Sequence, residues 1–330
     1  MSQSNIKVGT FNTYNLVLPG VIYYTNRKYS QADYDRKVTW LAEQLRRMDA
    51  DVVGFQEVFN EAALQEVVSA SGIYEGAGVL IAGGLYKDLR PLTALVTRYP
   101  VLEQGSITEF PGEARLEYDG DVVPIDTFSK PVLWARVKIS DAVFITVIVV
   151  HLKSKGPIIP KGADEDDPKV KASGKAKALI LRAAESYALR CILVDMLRDT
   201  RKPVILLGDV NDAVHAVTSD IIAGSPPWRY LPRDKKEDIW DVLLYNVKDI
   251  QARRSYRDVY YTHIFDGHYE SLDHIFVSEE FVLPNPDHLA YVENVVVLND
   301  HLIDETLSSE EVPIWQSDHG QVIAAIKLRL

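Results

Sequence analysis

Residues 203–212 read Pro-Val-Ile-Leu-Leu-Gly-Asp-Val-Asn-Asp, an apolar run with the character of a buried strand that ends on two carboxylates and an amide. Leaving Asp209, Asn211 and Asp212 at the mouth of a hydrophobic interior costs desolvation free energy, so a cation or a reacting group is expected to compensate. The same construction recurs along the chain. Asn12 closes Thr10-Phe11-Asn12, Gln56 and Glu57 close the run from Val52, and His151 closes the run from Val147. Asp273 and His274 interrupt residues 271–278, and Asp318 and His319 open the last apolar stretch. Each alone has an ordinary explanation: an Asx turn, a helix cap, a hydrogen-bonded core histidine. Six in one chain constrain the fold, because strands aligned in packed sheets present their ends on a common rim, where sites are built.

Periodicity fills in the rest. Strand patterns cover 6–11, 51–55, 79–82, 93–97, 132–139, 143–150, 203–207, 257–263, 272–277, 291–298 and 320–328. Helical stripes cover 33–48, 61–69 and about 174–198, the last with Leu179, Ile180, Ala183, Tyr187, Cys191 and Val194 on one side. Loops rich in Gly, Pro and charge are expected at 83–91, 110–131, 156–173 and 224–238, and no repeat of fixed period is present. Many strands with only three or four helices spread through the whole length suggest two packed sheets with helices outside, in a single domain spanning 1–330.

With 330 residues, 47% of them hydrophobic, the chain can bury a sizeable core. The single cysteine, Cys191, excludes a disulfide framework and cysteine zinc clusters; it is expected as a buried helix residue in a cytoplasmic protein. No leader pattern opens the sequence and no apolar run is long enough for a transmembrane segment. A net charge of −11 argues against a protein that coats nucleic acid through a broad basic face. A local groove stays open: residues 153–177 carry seven lysines against four acids, which suits a solvated loop as well as a phosphate rim. Aromatics at Tyr23-Tyr24, Trp228, Tyr230 and Tyr256–Tyr261, interleaved with Arg229, Arg233, Arg253, Arg254 and Arg257, suit either base stacking or ordinary packing.

The polar inventory at the strand ends points to one chemistry. Carboxylate and amide oxygens favour a hard cation, Mg²⁺ or Mn²⁺, and histidines near acids suit charge stabilisation and proton transfer at phosphorus. The ordered set Thr10-Phe11-Asn12, Gln56-Glu57, Thr97–Pro100, His151–Ser154, Gly208–Asp212, Leu272–Ser278 and Ser317–Gly320 resembles the endonuclease/exonuclease/phosphatase family of metal-dependent phosphoesterases. The resemblance runs from Asn12 to His319 and implies a four-layered α/β sandwich of two mixed sheets. Carried over residue by residue, it implies Glu57 as the main metal ligand, with Asn12 close to the same ion and Asp318 helping to hold it. It further implies Asp209 aligning or deprotonating the attacking water, Asn211 positioning Asp209 and the phosphate, and His319 on the scissile phosphate, oriented by Asp273. His151 would donate to a non-bridging oxygen or the leaving group, Arg98 and Tyr99 would shape the rim, and Lys153 and Lys155 would touch backbone phosphates.

Within the family, the His151–Gly156 stretch His-Leu-Lys-Ser-Lys-Gly is most similar to a bacterial group of nucleases. Tyr14 stands where the abasic-site endonuclease branch has an aspartate, and the secreted deoxyribonuclease branch relies on disulfides that one cysteine forbids. The expectation is a divalent-metal-dependent phosphodiesterase, a nuclease with nucleic acid as its phosphodiester substrate. The alternatives are a phosphomonoesterase or lipid phosphodiesterase of the same family, and a catalytically silent binding scaffold.

Overall fold

A computed structural model describes residues 5–24, 26–83, 89–228, 230–252, 260–265, 267–305, 308 and 311–329. In chain order the elements are β1 (Asn5–Leu16), α1 (Gln31–Met48), β2 (Val52–Val58), α2 (Glu61–Ser71), β3 (Val79–Ile81), β4 (Leu92–Thr97), β5 (Val101–Glu109), β6 (Glu117–Tyr118), β7 (Asp121–Val122), β8 (Thr127–Lys138) and β9 (Phe144–His151). There follow α3 (Pro168–Leu197), β10 (Val204–Asp209), α4 (Val217–Ala223), α5 (Arg233–Trp240), β11 (Tyr245–Asn246), α6 (Val247–Ala252), β12 (His263–Phe265), β13 (His268–Glu270), β14 (Asp273–Val277), β15 (Ala290–Leu298) and β16 (Gln321–Leu328).

The strands form two six-stranded mixed sheets, ordered β15-β16-β1-β2-β4-β3 and β11-β14-β10-β9-β8-β5. Each has one parallel pair near its middle, β1 with β2 and β9 with β10, and antiparallel neighbours elsewhere. The sheets pack face to face through Val8, Leu95, Val149, Leu207 and Ile275, among others. The outer face of the first sheet is covered by α1 and α2 through Leu41, Leu45 and Leu64, and that of the second by α3 through Ala188, Leu189 and Leu193. This is the four-layered α/β sandwich. Period-2 strands buried on both faces read as nearly continuous apolar runs, which is how β9 and β10 appear in the sequence. Among the described residues no helix is long and apolar enough to cross a membrane.

Local chemistry sets the helix ends. Ser30 caps α1 by accepting from the Asp33 N–H, and Asp167 caps α3 by accepting from the Lys169 N–H, with Pro168 at the first helical position. That Asp-Pro start carries α3 back to Pro168, into the expected 156–173 loop. The stripe expected on α3 is wrong: Leu179 and Ile180 are half exposed, and the buried face instead carries Ala178, Arg182, Glu185, Ala188 and Leu189. Two buried charged residues and small alanines disguise that face from an apolar count. Cys191 is only half buried. The edge strand β5 and the short helices α4, α5 and α6 escaped the periodicity because they bury little. The strand expected at 257–263 appears as β12 from His263; residues 257–259 lie outside the described residues.

Candidate active site

Strand polarity gathers the polar ends on one rim. The C-terminal ends of β1, β2, β9 and β10 meet the N-terminal ends of β8, β14 and β16 there, because each of the latter runs antiparallel to a neighbour in its sheet. Register then fixes the neighbours: Asp209 lies opposite His151 on one side and Asp273 on the other. Gly208, the strand residue before Asp209, has φ +152°, and a Cβ there would stand 2.1 Å from the Val150 carbonyl oxygen. Four non-glycine residues on this rim, Tyr14, Asn15, Glu57 and Asn211, hold left-handed φ of 51–62°. Such backbone strain persists only where surrounding contacts over-determine it.

Asp209 is the centre of the cluster and is buried. Its Oδ1 accepts from the Asn211 N–H (2.8 Å) and its Oδ2 from Asn12 Nδ2 (3.1 Å). His151 Nε2 lies 3.6 Å and His319 Nε2 4.0 Å from the same Oδ2. Burial, then the Asp273 charge, pushes the Asp209 carboxyl up to about 7. His319 donates from Nδ1 to Asp273 Oδ2 at 2.8 Å. Burial opposes charge on that imidazole, but the Asp273 carboxylate overrides it and holds the ring's pKa well above the usual histidine value. His151 goes the other way, held well below that value by burial and then by Lys130. Two histidines 4 Å or less from one carboxylate thus have their pKa values driven in opposite directions.

Glu57 leaves β2 with Oε2 accepting from the Asn15 N–H at 3.0 Å and Oε1 4.0 Å from His151 Nε2. Burial and then the Asp318 charge raise its carboxyl. Asn12 Oδ1 accepts from the Tyr14 N–H, and Ser317 Oγ ties the Asp318 segment to the Asn12 carbonyl. The Oδ1 atoms of Asp318 and Asp273 and Nδ1 of His151 are buried without a hydrogen-bond partner among the described residues. Orphaned buried oxygens and a Glu57 carboxyl raised by burial and the Asp318 charge fit a hard divalent cation at Glu57 and Asp318, with Asn12 Oδ1 alongside.

Three residues behind this rim had no role in the sequence reading. Lys130, just inside β8, donates to the Leu152 carbonyl and acts electrostatically on Glu57, Asp209 and His151. Glu185 on α3 accepts from the Ser129 N–H and the Lys153 N–H, both at 2.7 Å, so one buried carboxylate clasps the segments that carry Lys130 and His151. Arg182, one turn earlier, bonds the Lys153 carbonyl and Asp212 Oδ2. A polar residue interrupting a small-residue helix face was the available signal.

The lysines expected on phosphate are engaged elsewhere. Lys155 sits on the rim but bonds both Glu270 oxygens at 2.8 Å, and Lys153 Nζ folds back onto Ser154 and the Gly156 carbonyl. Arg98 and Tyr99 are a correction. They follow β4, which runs antiparallel to β2 with Thr97 opposite Val52, so they emerge at the far end of the sheet, where Arg98 bonds Asp49 and Asp51. Of the aromatic and arginine mixtures, Tyr23 stacks on Tyr29 in the core, Trp228 meets Tyr230 edge to face at the surface, and Arg233 pairs with Glu237. Arg229, Arg253, Arg254, Tyr256 and Arg257 lie outside the described residues.

The family model described as "Endonuclease/Exonuclease/phosphatase family" matches residues 9–319. The chain belongs to that family. Among solved structures, the endonuclease/exonuclease/phosphatase from Bacteroides vulgatus is similar at 14% identity, covering 99% of this chain and 100% of that one, with a TM-score of 0.57. A family protein from Bacteroides thetaiotaomicron is similar at 16% identity over 99% of this chain and 96% of that one, TM-score 0.55. D. rerio TDP2 complexed with single-strand DNA product is similar at 14% identity over 98% and 100%, TM-score 0.56. At such identities these likenesses show the fold alone. The search of curated proteins found no match. Family membership supports a phosphoric ester hydrolase.

Proposed function

We propose that this chain is a divalent-metal-dependent phosphodiesterase that cleaves nucleic acid by in-line attack of water on phosphorus. The observation that carries the reading is Asp209: a buried carboxyl pushed up to about 7, with two histidines within 4.0 Å whose pKa values are driven in opposite directions. A base poised near the working pH, beside a fixed positive donor, suits deprotonation of water against a phosphate. When bound at Glu57 and Asp318, Mg²⁺ or Mn²⁺ offsets charge on the phosphoryl oxygens and the leaving group.

The side chains divide the remaining work. Asp209 takes the proton from water, oriented by the N–H of Asn211 and the amide of Asn12. Asn211 spends one amide hydrogen on the Leu152 carbonyl and has a second for the phosphate. Protonated His319, braced by Asp273, stabilises the charge that accumulates on the pentavalent phosphorus, and neutral His151 donates to an oxygen beside it. Lys130 adds positive charge on the same side, in place of the Lys153 and Lys155 expected there. The D. rerio TDP2 complex with single-strand DNA product supports a nucleic-acid substrate, as does Lys130 set among Glu57 and Asp209 in a chain whose net charge is −11.

The test is a panel assayed with Mn²⁺ and with EDTA: single- and double-stranded DNA, RNA, bis-p-nitrophenyl phosphate, p-nitrophenyl phosphate and sphingomyelin. Mn²⁺-supported cleavage of nucleic acid and the diester, abolished by EDTA, is expected. Hydrolysis of the monoester alone, or of sphingomyelin alone, overturns the nuclease reading.

A further inference from the structure

His263, at the start of β12, lies against His319 with ring centroids 4.7 Å apart and planes inclined by 28°. Its Nδ1 is 3.0 Å from the Asp318 carbonyl oxygen, which can only accept, so Nδ1 carries the hydrogen and Nε2 of the neutral ring is left with its lone pair. His319 is oriented in the same manner, Nδ1–H to the Asp273 carboxylate, and a metal at its Nε2 would take the place of the proton held there. Imidazoles that ligate metals are held this way, one ring N–H given to a carboxylate or a carbonyl and the other nitrogen free. Asp318 lies beside the two rings, and its Oδ1 is buried without a partner among the described residues. One ligand atom from each of His263, Asp318 and His319 falls within 4.8 Å of the others.

Two pre-oriented imidazoles and one carboxylate make a donor set unlike the oxygens offered by Glu57 and Asn12. Nitrogen donors suit Zn²⁺ or Co²⁺, whereas Mg²⁺ prefers oxygen and keeps its waters. We propose that His263, Asp318 and His319 form a second cation seat, selective for a transition metal and sharing Asp318 with the hard-ion seat at Glu57. The two seats differ in softness, so Mg²⁺ fills the first without competing strongly for the second. A consequence, which alone rests on the proposed reaction, is that Zn²⁺ in the second seat withdraws His319 Nε2 from the phosphate and inhibits Mg²⁺-supported hydrolysis.

The experiment is a Co²⁺ titration of the Mg²⁺-saturated protein without substrate, followed by visible absorption and calorimetry. One equivalent with ligand-field bands of a low-coordinate nitrogen site is expected. His263→Gln should weaken that binding by about 100-fold or more, while Glu57→Gln should retain the bands. Unchanged bands in His263→Gln, or their loss in Glu57→Gln, overturns the seat. X-ray absorption of the wild-type Zn²⁺ complex needs no variant: two histidine ligands are expected, and one or none overturns the proposal. A protein that shows the two-histidine site yet cleaves nothing in the substrate panel keeps the seat and loses the nuclease reading; the reverse result does the opposite.

Discussion

The two ends of β2 both gather acids and treat them in opposite ways. At the N-terminal end, Asp49 accepts from Lys7 Nζ at 3.2 Å and from Arg98 at 2.8 Å, and Asp51 accepts from Arg98 at 3.1 Å and from the Lys7 N–H at 2.8 Å. The Arg98 hydrogen bond holds the Asp49 carboxyl below its usual value. At the C-terminal end, the Glu57 carboxyl is raised by burial and then by the Asp318 charge, and the Asp209 carboxyl by burial and then by the Asp273 charge. Ion pairing at one end clasps β1, β2 and β4 together. The raised acids at the other end, Glu57 and Asp209, are a cost to the fold, and that cost is what leaves them ready to receive a metal and a proton.

Asp209→Asn tests the contrast most severely. Turnover should fall by about 10³-fold, measured as kcat on bis-p-nitrophenyl phosphate, while the metal-free protein should melt at a higher temperature than wild type. The second half follows from sign. Folded Asp209 binds a proton up to about 7 that the unfolded chain releases in the ordinary aspartate range, so stability contributed by this group falls as pH rises through that window. His319, raised well above the usual value, also contributes stability that is lost as pH rises through its folded value. A variant that melts lower than wild type at pH 7 would show that the Asp209 carboxylate is compensated after all.

Adding the cation should remove the cost. At a concentration 100 times its dissociation constant, Mg²⁺ or Mn²⁺ should stabilise the protein by about 2.7 kcal/mol, read as a rise in Tm. Glu57→Gln should abolish the rise; a full rise in that variant places the ion elsewhere. The same cation should move the acid limb of kcat/KM. Activity needs Asp209 ionised, so it declines as pH falls below about 7 at low metal, and the limb should shift to lower pH as the cation, which favours the carboxylate, saturates. An acid limb that ignores metal concentration would separate Asp209 from the metal site.

This difference between the ends also marks what the sequence could tell. The residues at the active rim were legible because each closes or opens an apolar run, a purely local pattern. Which end of the sheet a residue reaches is not local. Arg98 and Tyr99 sit in a family-like Thr-Arg-Tyr-Pro stretch, but β4 pairs antiparallel with β2, and that pairing, decided by residues far apart in sequence, carries them to the opposite rim. Lys130 was invisible for a related reason. It precedes the apolar run of β8 and read as loop, although the backbone is already extended from Thr127. Glu185 and Arg182 look like solvated charges on a helix; their burial is explained only by the backbone N–H and carbonyl groups of two distant segments that they bond. His263 carried no motif at all; the Gly320 N–H on the Thr262 carbonyl and its own Nδ1 on the Asp318 carbonyl bring it to His319.

The smallest effects belong to the clasp, and they complete the contrast by separating stability from activity. Asp51→Asn keeps the shape of the side chain but replaces one acceptor by a donor facing Arg98 or the Lys7 N–H, which should cost about 2 kcal/mol, measured by urea unfolding. Arg98→Ala should cost less, about 1 kcal/mol, since its guanidinium is 28% exposed and water takes over part of its bonding to Asp49. In both variants kcat/KM and the Mg²⁺-induced rise in Tm should match wild type, because the acids on the active rim answer to one another and to the cation, not to the far end of the strands. A drop in kcat/KM for Arg98→Ala with the Tm rise intact would return Arg98 to substrate recognition and break the division between the two ends.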